Sequence, residues 1–78
     1  MTADEFAALL NIAKLSPEDK TIATQRIVWR MELIEIGVEH NMDRSTVSRR
    51  LQRIILPELE RMLRRQINMA IGDKTING

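Results

Sequence analysis

The sequence predicts an all-α fold, in one small helical domain of about five helices. Three observations predict it: two segments begin with the cap residues of helix N-termini, the segment 32–56 has the pattern of two short helices around a tight turn, and the segment 57–72 carries apolar residues at helical spacing. With 78 residues the chain has room for one domain. We place that domain at 1–72 and a flexible tail at 73–78.

The first two helices each start at a recognisable cap. Thr2, with a Glu three residues later, forms a capping box in which each side chain can bond the other residue's backbone N–H. Ser16 before Pro17 marks the second start. These signals predict helices over about 3–13 and 17–30. The apolar residues that we expect them to supply are Phe6, Leu9, Leu10, Ala13, Ile22, Ile27, Val28 and Trp29.

The end of the second helix is not marked in the sequence, because residues 30–32 contain no Gly or Pro. One continuous helix from Pro17 to His40 is the alternative, and at about 24 residues it would be long for so small a domain. We expect a turn near Met31–Glu32, because the downstream spacing requires a helix of about eight residues before Asn41.

The segment 32–56 has residues suited to a close crossing of two helices. Gly37 lies inside the first of them, where a Gly costs roughly 1 kcal/mol relative to Ala, so its presence suggests a packing reason. Asn41 stands at the turn position that often needs a positive φ, which Asn tolerates. Met42 is predicted to be buried in the turn. Asp43 is predicted to cap the next helix by accepting a backbone N–H.

The helix that follows this turn has an apolar side and a polar side. At about 100° per residue, the side chains of Val47, Leu51, Ile54 and Ile55 cluster in one direction. From Arg44 to Arg53 there are four Arg and no acidic residue, with small hydroxyl residues between them. Arg suits bidentate contact with guanine or phosphate, and small hydroxyl side chains allow close approach to backbone and bases.

This layout predicts a helix-turn-helix whose second helix enters the major groove of double-stranded DNA. The residues that we expect to approach base edges are Arg44, Ser45, Arg49 and Gln52. Those that we expect to hold phosphates are Thr46, Ser48, Arg50 and Arg53. The alternative is an ordinary amphipathic helix pair with a solvated basic face.

Charge is divided unevenly along the chain, although the formal net charge is only +1. Residues 1–39 hold four basic and seven acidic residues, whereas residues 40–78 hold eight basic and four acidic ones. This asymmetry is expected if one face of the protein meets a polyanion. Chance segregation in a short chain is the alternative.

Two parts of the chain resemble known repressors. The run Asp-Arg-Ser-Thr-Val-Ser-Arg-Arg-Leu at 43–51 resembles the recognition helix of many bacterial repressors, in which a Thr-Val-Ser-Arg core recurs. About two thirds of the chain, from about Phe6 to Leu56, resembles the TrfB-like repressors of conjugative plasmids, the group that includes KorA and ArdK. The shared pattern is an N-terminal helix with Phe6, Ala8 and Leu9, a long second helix opened by Thr21 and Ile22, and then the helix-turn-helix.

This resemblance implies a transcriptional repressor that acts on plasmid promoters by occluding polymerase. The chain departs from the longer members of the group, because it ends about two dozen residues after the recognition helix. We therefore expect it to lack their separate C-terminal dimerisation domain.

The last predicted helix, 57–72, starts with Pro57 and acidic residues and ends at Gly72. Its apolar stripe either closes the monomer core or pairs with a second copy. We favour a homodimer, because two copies on a palindrome with half-sites about 34 Å apart would combine their contacts. The residues expected in this dimer interface are Leu59, Met62, Leu63 and Ile67.

The sequence does not indicate an enzyme, a metal, a cofactor or a small-molecule effector. His40, the single His, has no partner at metal-ligand spacing except the adjacent Glu39, and it suits a helix C-terminus. There is no Cys, and no apolar run approaches the ~20 residues of a membrane span, so we expect a cytoplasmic protein. Two rival functions stay open, namely an accessory DNA-binding factor for recombination and a helical protein-interaction module.

Overall fold

The computed structural model describes the backbone of residues 1–77 and the side chains of residues 1–67. Two π-helical segments, Thr24–Val28 and Leu51–Ile55, extend α-helical ones. No strand occurs in residues 1–77, so the predicted all-α fold is confirmed. The α-helices are α1 (Ala3–Ile12), α2 (Pro17–Ala23), α3 (Leu33–His40), α4 (Arg44–Arg50) and α5 (Leu56–Asn77).

These elements form four continuous helical stretches within residues 1–77, because α4 passes through its π-helical segment into α5 without a break. The predicted division into about five separate helices, with a boundary at Pro57, is corrected accordingly. In a regular α-helix a Pro ring clashes with the carbonyl four residues earlier. Here Pro57 directly follows a wider turn, in which the Leu56 N–H bonds the Leu51 carbonyl five residues back, and such a turn accommodates the ring.

The last helix also extends further than predicted. Its backbone continues through Gly72 to Asn77. A Gly inside a helix costs only about 1 kcal/mol, and no Pro follows to stop the helix. The predicted cap at Gly72 is therefore corrected, and the side chains of the predicted tail, 73–78, lie outside the described residues.

The N-termini of α1 and α2 are capped as predicted. Thr2 Oγ1 accepts the Glu5 N–H at 3.1 Å, and Glu5 Oε1 accepts the Thr2 N–H at 3.2 Å. These bonds hold the pKa of the Glu5 carboxyl below its ordinary value. Ser16 Oγ accepts the Asp19 N–H at 3.1 Å, with Pro17 at the first helical position.

The second helical stretch ends before residue 30, so the predicted turn near Met31–Glu32 is confirmed and the continuous-helix alternative is wrong. Arg30 breaks the helix by adopting a positive φ of 55°. Met31 is held on both sides, since its N–H donates to the Gln25 carbonyl at 3.0 Å and its carbonyl accepts from Arg26 Nη1 at 2.8 Å. These bonds set how the chain enters α3.

One hydrophobic core contains side chains from all four helical stretches. Ile22, Ile36, Val47 and Ile55 are fully buried where α2, α3 and the long helical stretch meet. The other apolar members of the core are Phe6, Leu9, Leu10, Ala13, Ala23, Leu51, Leu59 and Met62.

Three residues that were predicted to lie on the apolar sides of their helices are exposed. The exposed fractions of Ile27, Trp29 and Ile54 are 39%, 65% and 48%. Ile27 and Ile54 lie within the two π-helical segments, and Trp29 directly follows the first. A π-helical turn holds more residues than an α-helical one, so it rotates side chains away from the direction that the 3.6-residue period assigns.

The helix α5 leaves the body of the protein after Met62. Residues 63–67 are all exposed, and the longest dimension of the structure, 52 Å, reflects the long helical stretch that contains α5. Within the described residues, no helix combines the length and apolar character needed to cross a membrane.

Glu58 ties the start of α5 to the end of α1. Its carboxylate accepts the Lys14 N–H at 2.7 Å and two Arg61 N–H groups at 2.8 and 2.9 Å. The Arg61 bonds, followed by the Lys14 bond, lower the pKa of Glu58 from 4.5 to about 2.

We expect Glu58→Gln to lower stability at neutral pH and to reduce the loss of stability in acid. Because the folded-state pKa is depressed, the ionised carboxylate stabilises the fold above pH 4.5, and this contribution is lost as the pH falls towards about 2. Thermal unfolding followed by circular dichroism across this range measures the effect. Glu60→Gln, on an exposed position of the same helix, is the control. Parallel pH profiles for Glu58→Gln and the unmodified protein would contradict the prediction.

Candidate functional site

The α3–turn–α4 unit packs as closely as its sequence predicts. Asn41 ends α3 in the left-handed conformation, with φ 55° and ψ 44°. Met42 is half-buried against the core, and its N–H donates to the Gly37 carbonyl at 2.8 Å. A Cβ atom on Gly37 would overlap the Met42 carbonyl oxygen, so this approach requires Gly. The turn thus sets α4 in one position relative to α3.

Asp43 starts α4 through its backbone and not through its side chain. Its φ of −69° and ψ of 152° are those of an N-cap residue, and its carbonyl accepts the Thr46 and Val47 N–H groups at 3.0 and 3.1 Å. Its carboxylate makes no capping hydrogen bond and is exposed. The predicted side-chain cap is therefore corrected, because the carboxylate is turned to solvent, where it keeps its hydration while lying near the positive end of the helix.

Five of the eight predicted DNA-contacting residues are exposed on α4 and on the π-helical segment after it. We call these five residues the basic face: Arg44, Ser45, Arg49, Gln52 and Arg53. Thr46 and Ser48 are half-buried beside it. The basic face carries three guanidinium groups and no carboxylate, so it offers hydrogen-bond donors with positive charge.

Arg50 is half-buried and paired with acidic side chains of α2, so we do not count it in the basic face. Its Nη1 donates to Glu18 Oε1 at 3.0 Å and to Asp19 Oδ1 at 3.1 Å. The Arg50 side chain is 33% exposed and that of Asp19 only 7%. Arg50 therefore fastens α4 to the start of α2, and this pairing engages the guanidinium group that was predicted to contact a phosphate.

A polar network that the sequence analysis missed continues from Glu18. His40 Nδ1 lies 3.3 Å from Glu18 Oε2, and His40 Nε2 lies 2.8 Å from Gln25 Oε1. Gln25 is buried, and its Nε2 donates to Glu39 Oε2. This network links α2 and the segment after it to the end of α3, so α2 holds both helices of the α3–turn–α4 unit.

The sequence contains a signal for this network. Asp19 and Gln25 lie three residues before and three residues after Ile22, which puts both on the core side of their helix. Buried polar groups need partners, and every buried side-chain nitrogen or oxygen in the described part of the chain has one.

The four predicted dimer residues are divided between the monomer core and the surface. Leu59 and Met62 are 5% and 8% exposed and lie in the monomer core, so they leave little surface for the predicted dimer interface. Leu63 and Ile67 remain 39% and 57% exposed. Leu59 and Met62 belong to the same core cluster as the α1 side chains Phe6, Leu9 and Leu10, whereas Leu63 and Ile67 do not.

The chemistry available at the basic face is hydrogen bonding by guanidinium, hydroxyl and amide groups, which suits phosphates and base edges. Among the described residues, no group of three or more His, Cys, Asp or Glu is placed to hold a metal ion. Comparison of the chain with protein-family models, with curated proteins and with solved structures finds no match.

Proposed function

We propose that the chain is a sequence-specific double-stranded DNA-binding protein, in which α3, the turn and α4 act as a helix-turn-helix. The observation that carries this proposal is the basic face, in which three exposed Arg side chains stand with Ser45 and Gln52 on a helix held from two sides. An α-helix with its side chains is about 10–12 Å across and fits the major groove, which is about 12 Å wide.

The residues of the basic face match known modes of base and phosphate recognition. Arg49 can bind guanine O6 and N7 together, and Gln52 can do the same with adenine N6 and N7. Arg44 and Ser45, at the first turn of α4, also approach base edges, because recognition helices contact bases through their N-terminal residues. Arg53 holds a phosphate, together with the hydroxyl groups of Thr46 and Ser48 at the border of the face.

The resemblance of the chain to TrfB-like repressors extends the proposal to regulation. In this form the protein is a transcriptional repressor of plasmid genes that binds palindromic operators as a homodimer and occludes polymerase. Two recognition helices are needed because one contacts only a few base pairs, whereas a two-fold dimer matches the symmetry of a palindrome.

A second candidate function is supported by the outer surface of α3. Ile34 and Val38, four residues apart on one side of that helix, are 63% and 73% exposed, and Trp29 nearby in the chain is 65% exposed. Exposed apolar patches mark protein contacts. In this candidate the protein is a helical interaction module, and its basic face meets an acidic protein surface.

Single substitutions on the basic face test the DNA-binding proposal. We expect Arg49→Ala to weaken binding to the promoter of the protein's own gene by about 1–3 kcal/mol, and binding to random duplex much less, because it removes a base contact. Arg53→Ala should weaken both about equally and flatten the salt dependence of log K by about 0.9, because it removes a phosphate contact. Fluorescence anisotropy over a series of salt concentrations measures both quantities.

The control for these titrations is Arg65→Ala, which removes the same charge from an exposed position on α5. It should leave promoter selectivity unchanged. Equal loss on both duplexes for Arg49→Ala would refute its role as a base reader. Absence of binding to either duplex at about 0.15 M salt would overturn the DNA-binding proposal and favour the interaction module.

A further inference from the structure

An apolar stripe runs along α5 beyond the end of the monomer core. Leu56, Leu63 and Ile67 are 46%, 39% and 57% exposed. The last core residue, Met62, precedes five exposed residues, and the helical backbone continues to Asn77. Isolated helices are marginally stable in water and depend on packing of their apolar face. A helix that projects from its own core with an exposed apolar stripe therefore needs another apolar surface against which the stripe can pack.

The stripe forms one side of an open groove of about 610 Å³ between α5 and the N-terminal part of the chain. The charged residues that line it are Glu60 and Arg64, whereas the rest of the lining is apolar. The apolar residues that the groove exposes most are Met1, Ile27, Leu56, Leu63 and Ile67. A matching occupant must therefore be apolar, with both signs of charge near its centre.

The stripe itself meets this requirement, because the spacing of its residues is symmetric about its centre. Leu56, Glu60, Leu63 and Ile67 are separated by four, three and four residues, which is the spacing of a helix–helix seam. The series is the same when read in either direction. A two-fold interface requires a surface that complements itself, and an antiparallel copy of this stripe would set Leu56 against the partner's Ile67.

The two charges near the centre of the stripe also complement each other in this arrangement. Within one chain, Arg64 Nη2 lies 2.5 Å from Glu60 Oε1. Antiparallel packing brings Glu60 beside the partner's Arg64, and Arg64 beside the partner's Glu60, so each carboxylate gains a second guanidinium. Parallel packing would set like charges against each other.

We propose that the Leu56–Ile67 face of α5 pairs with the same face of a second copy in antiparallel orientation and forms a homodimer. The inference deepens the proposed function and rests on it for its biological meaning, since a palindrome requires two reading helices. With a rise of about 1.5 Å per residue, Arg49 lies roughly 19 Å from the centre of the stripe, so the two copies of Arg49 would be roughly 37 Å apart. One turn of DNA is about 34 Å.

Sedimentation equilibrium of the full chain without DNA tests self-association. The unmodified protein should have twice the 9.0 kDa mass of one chain. Ile67→Glu should weaken association by more than about tenfold, because it places a charge in the seam. Ile34→Glu is the matched control, since Ile34 is similarly exposed, at 63%, but lies on α3, and it should stay dimeric. A mass of 9.0 kDa for the unmodified protein even at submillimolar concentration would overturn the proposal.

Disulfide trapping tests the antiparallel orientation, because the chain contains no Cys. Oxidising a mixture of the Leu56→Cys and Ile67→Cys variants should produce a linked heterodimer. Each variant alone should stay unlinked, because its two Cys would be roughly 16 Å apart along the seam, well beyond the reach of a disulfide. Rapid linkage of Leu56→Cys to itself, without the mixed product, would show parallel packing and overturn the proposed arrangement.

Binding to half-site and palindromic duplexes separates this inference from the proposed function. If both are correct, Ile67→Glu keeps its affinity for a single half-site and loses the additional affinity for the palindrome. A monomeric protein that still reads duplex DNA through Arg49 would overturn the dimer, including its part in the proposed repressor, and leave the DNA-binding proposal standing. A dimer that binds no DNA would overturn the proposed function alone.

Discussion

Replacement of Gly37 by Ala should lower the free energy of unfolding by about 2–4 kcal/mol. The added Cβ would overlap the Met42 carbonyl oxygen, which is a backbone atom and cannot rotate away as a side chain can. The Met42 N–H is also bonded to the Gly37 carbonyl at 2.8 Å, so relief of the overlap would break that bond. For a domain of this size, total stability is only about 4–12 kcal/mol, and the loss is a large part of it.

Urea unfolding measures this effect, with Val38→Ala as the control. Val38 is the next residue of α3 and is 73% exposed, so its truncation should change stability by less than about 0.5 kcal/mol. Where Gly37→Ala remains folded, displacement of α4 should also weaken promoter binding. Equal urea midpoints for the two variants would contradict the close contact between Gly37 and the Met42 carbonyl.

Replacement of Arg50 by Met should lower the free energy of unfolding by about 1–3 kcal/mol, because it leaves the Asp19 carboxylate buried without its guanidinium partner. Met keeps the apolar stem of the side chain and so limits the change to the charge. The expected loss is at or below the lower end of the free-energy cost of breaking a buried ion pair, because the Arg50 side chain is 33% exposed. A double-mutant cycle with Asp19→Asn isolates the pairing energy.

Arg53→Met is the matched control for Arg50→Met, since the two residues are three apart and only Arg53 belongs to the basic face. Arg50→Met should lower the stability of the fold and leave unchanged the slope of log K for DNA binding against the logarithm of the salt concentration. Arg53→Met should keep its stability and lose part of that slope. The opposite pattern, with a stable Arg50→Met variant whose salt slope is flattened, would restore the phosphate role that the sequence suggests for Arg50.

Features that depend on neighbouring residues were predictable from the sequence. The caps at Thr2 and Ser16, the left-handed Asn41 and the close contact at Gly37 all occur as predicted. Each involves groups within about five residues of one another, so residue type and spacing are sufficient to specify it. The all-α class follows from the same local signals.

The exposure of side chains near the π-helical segments could not be predicted in this way. The exposed Ile54 and the uninterrupted helix through Pro57 both depend on a wider turn at Leu51–Ile55. Periodicity analysis assumes one constant turn, so every residue after a local widening is assigned a wrong direction. No residue type in that segment marks the change.

The candidate site shows the same division between local and distant contacts. The chain itself determines that an Arg-rich helix follows a tight turn, because these are properties of consecutive residues. Only the packing of α2 against α4 decides that Arg50 meets Glu18 and Asp19, which precede it by 32 and 31 residues. Likewise, only the assembled core decides that Leu59 is buried while Leu63, four residues later, stays exposed. Such contacts depend on how helices cross, and crossing is set by the whole core at once, not by any one segment of sequence.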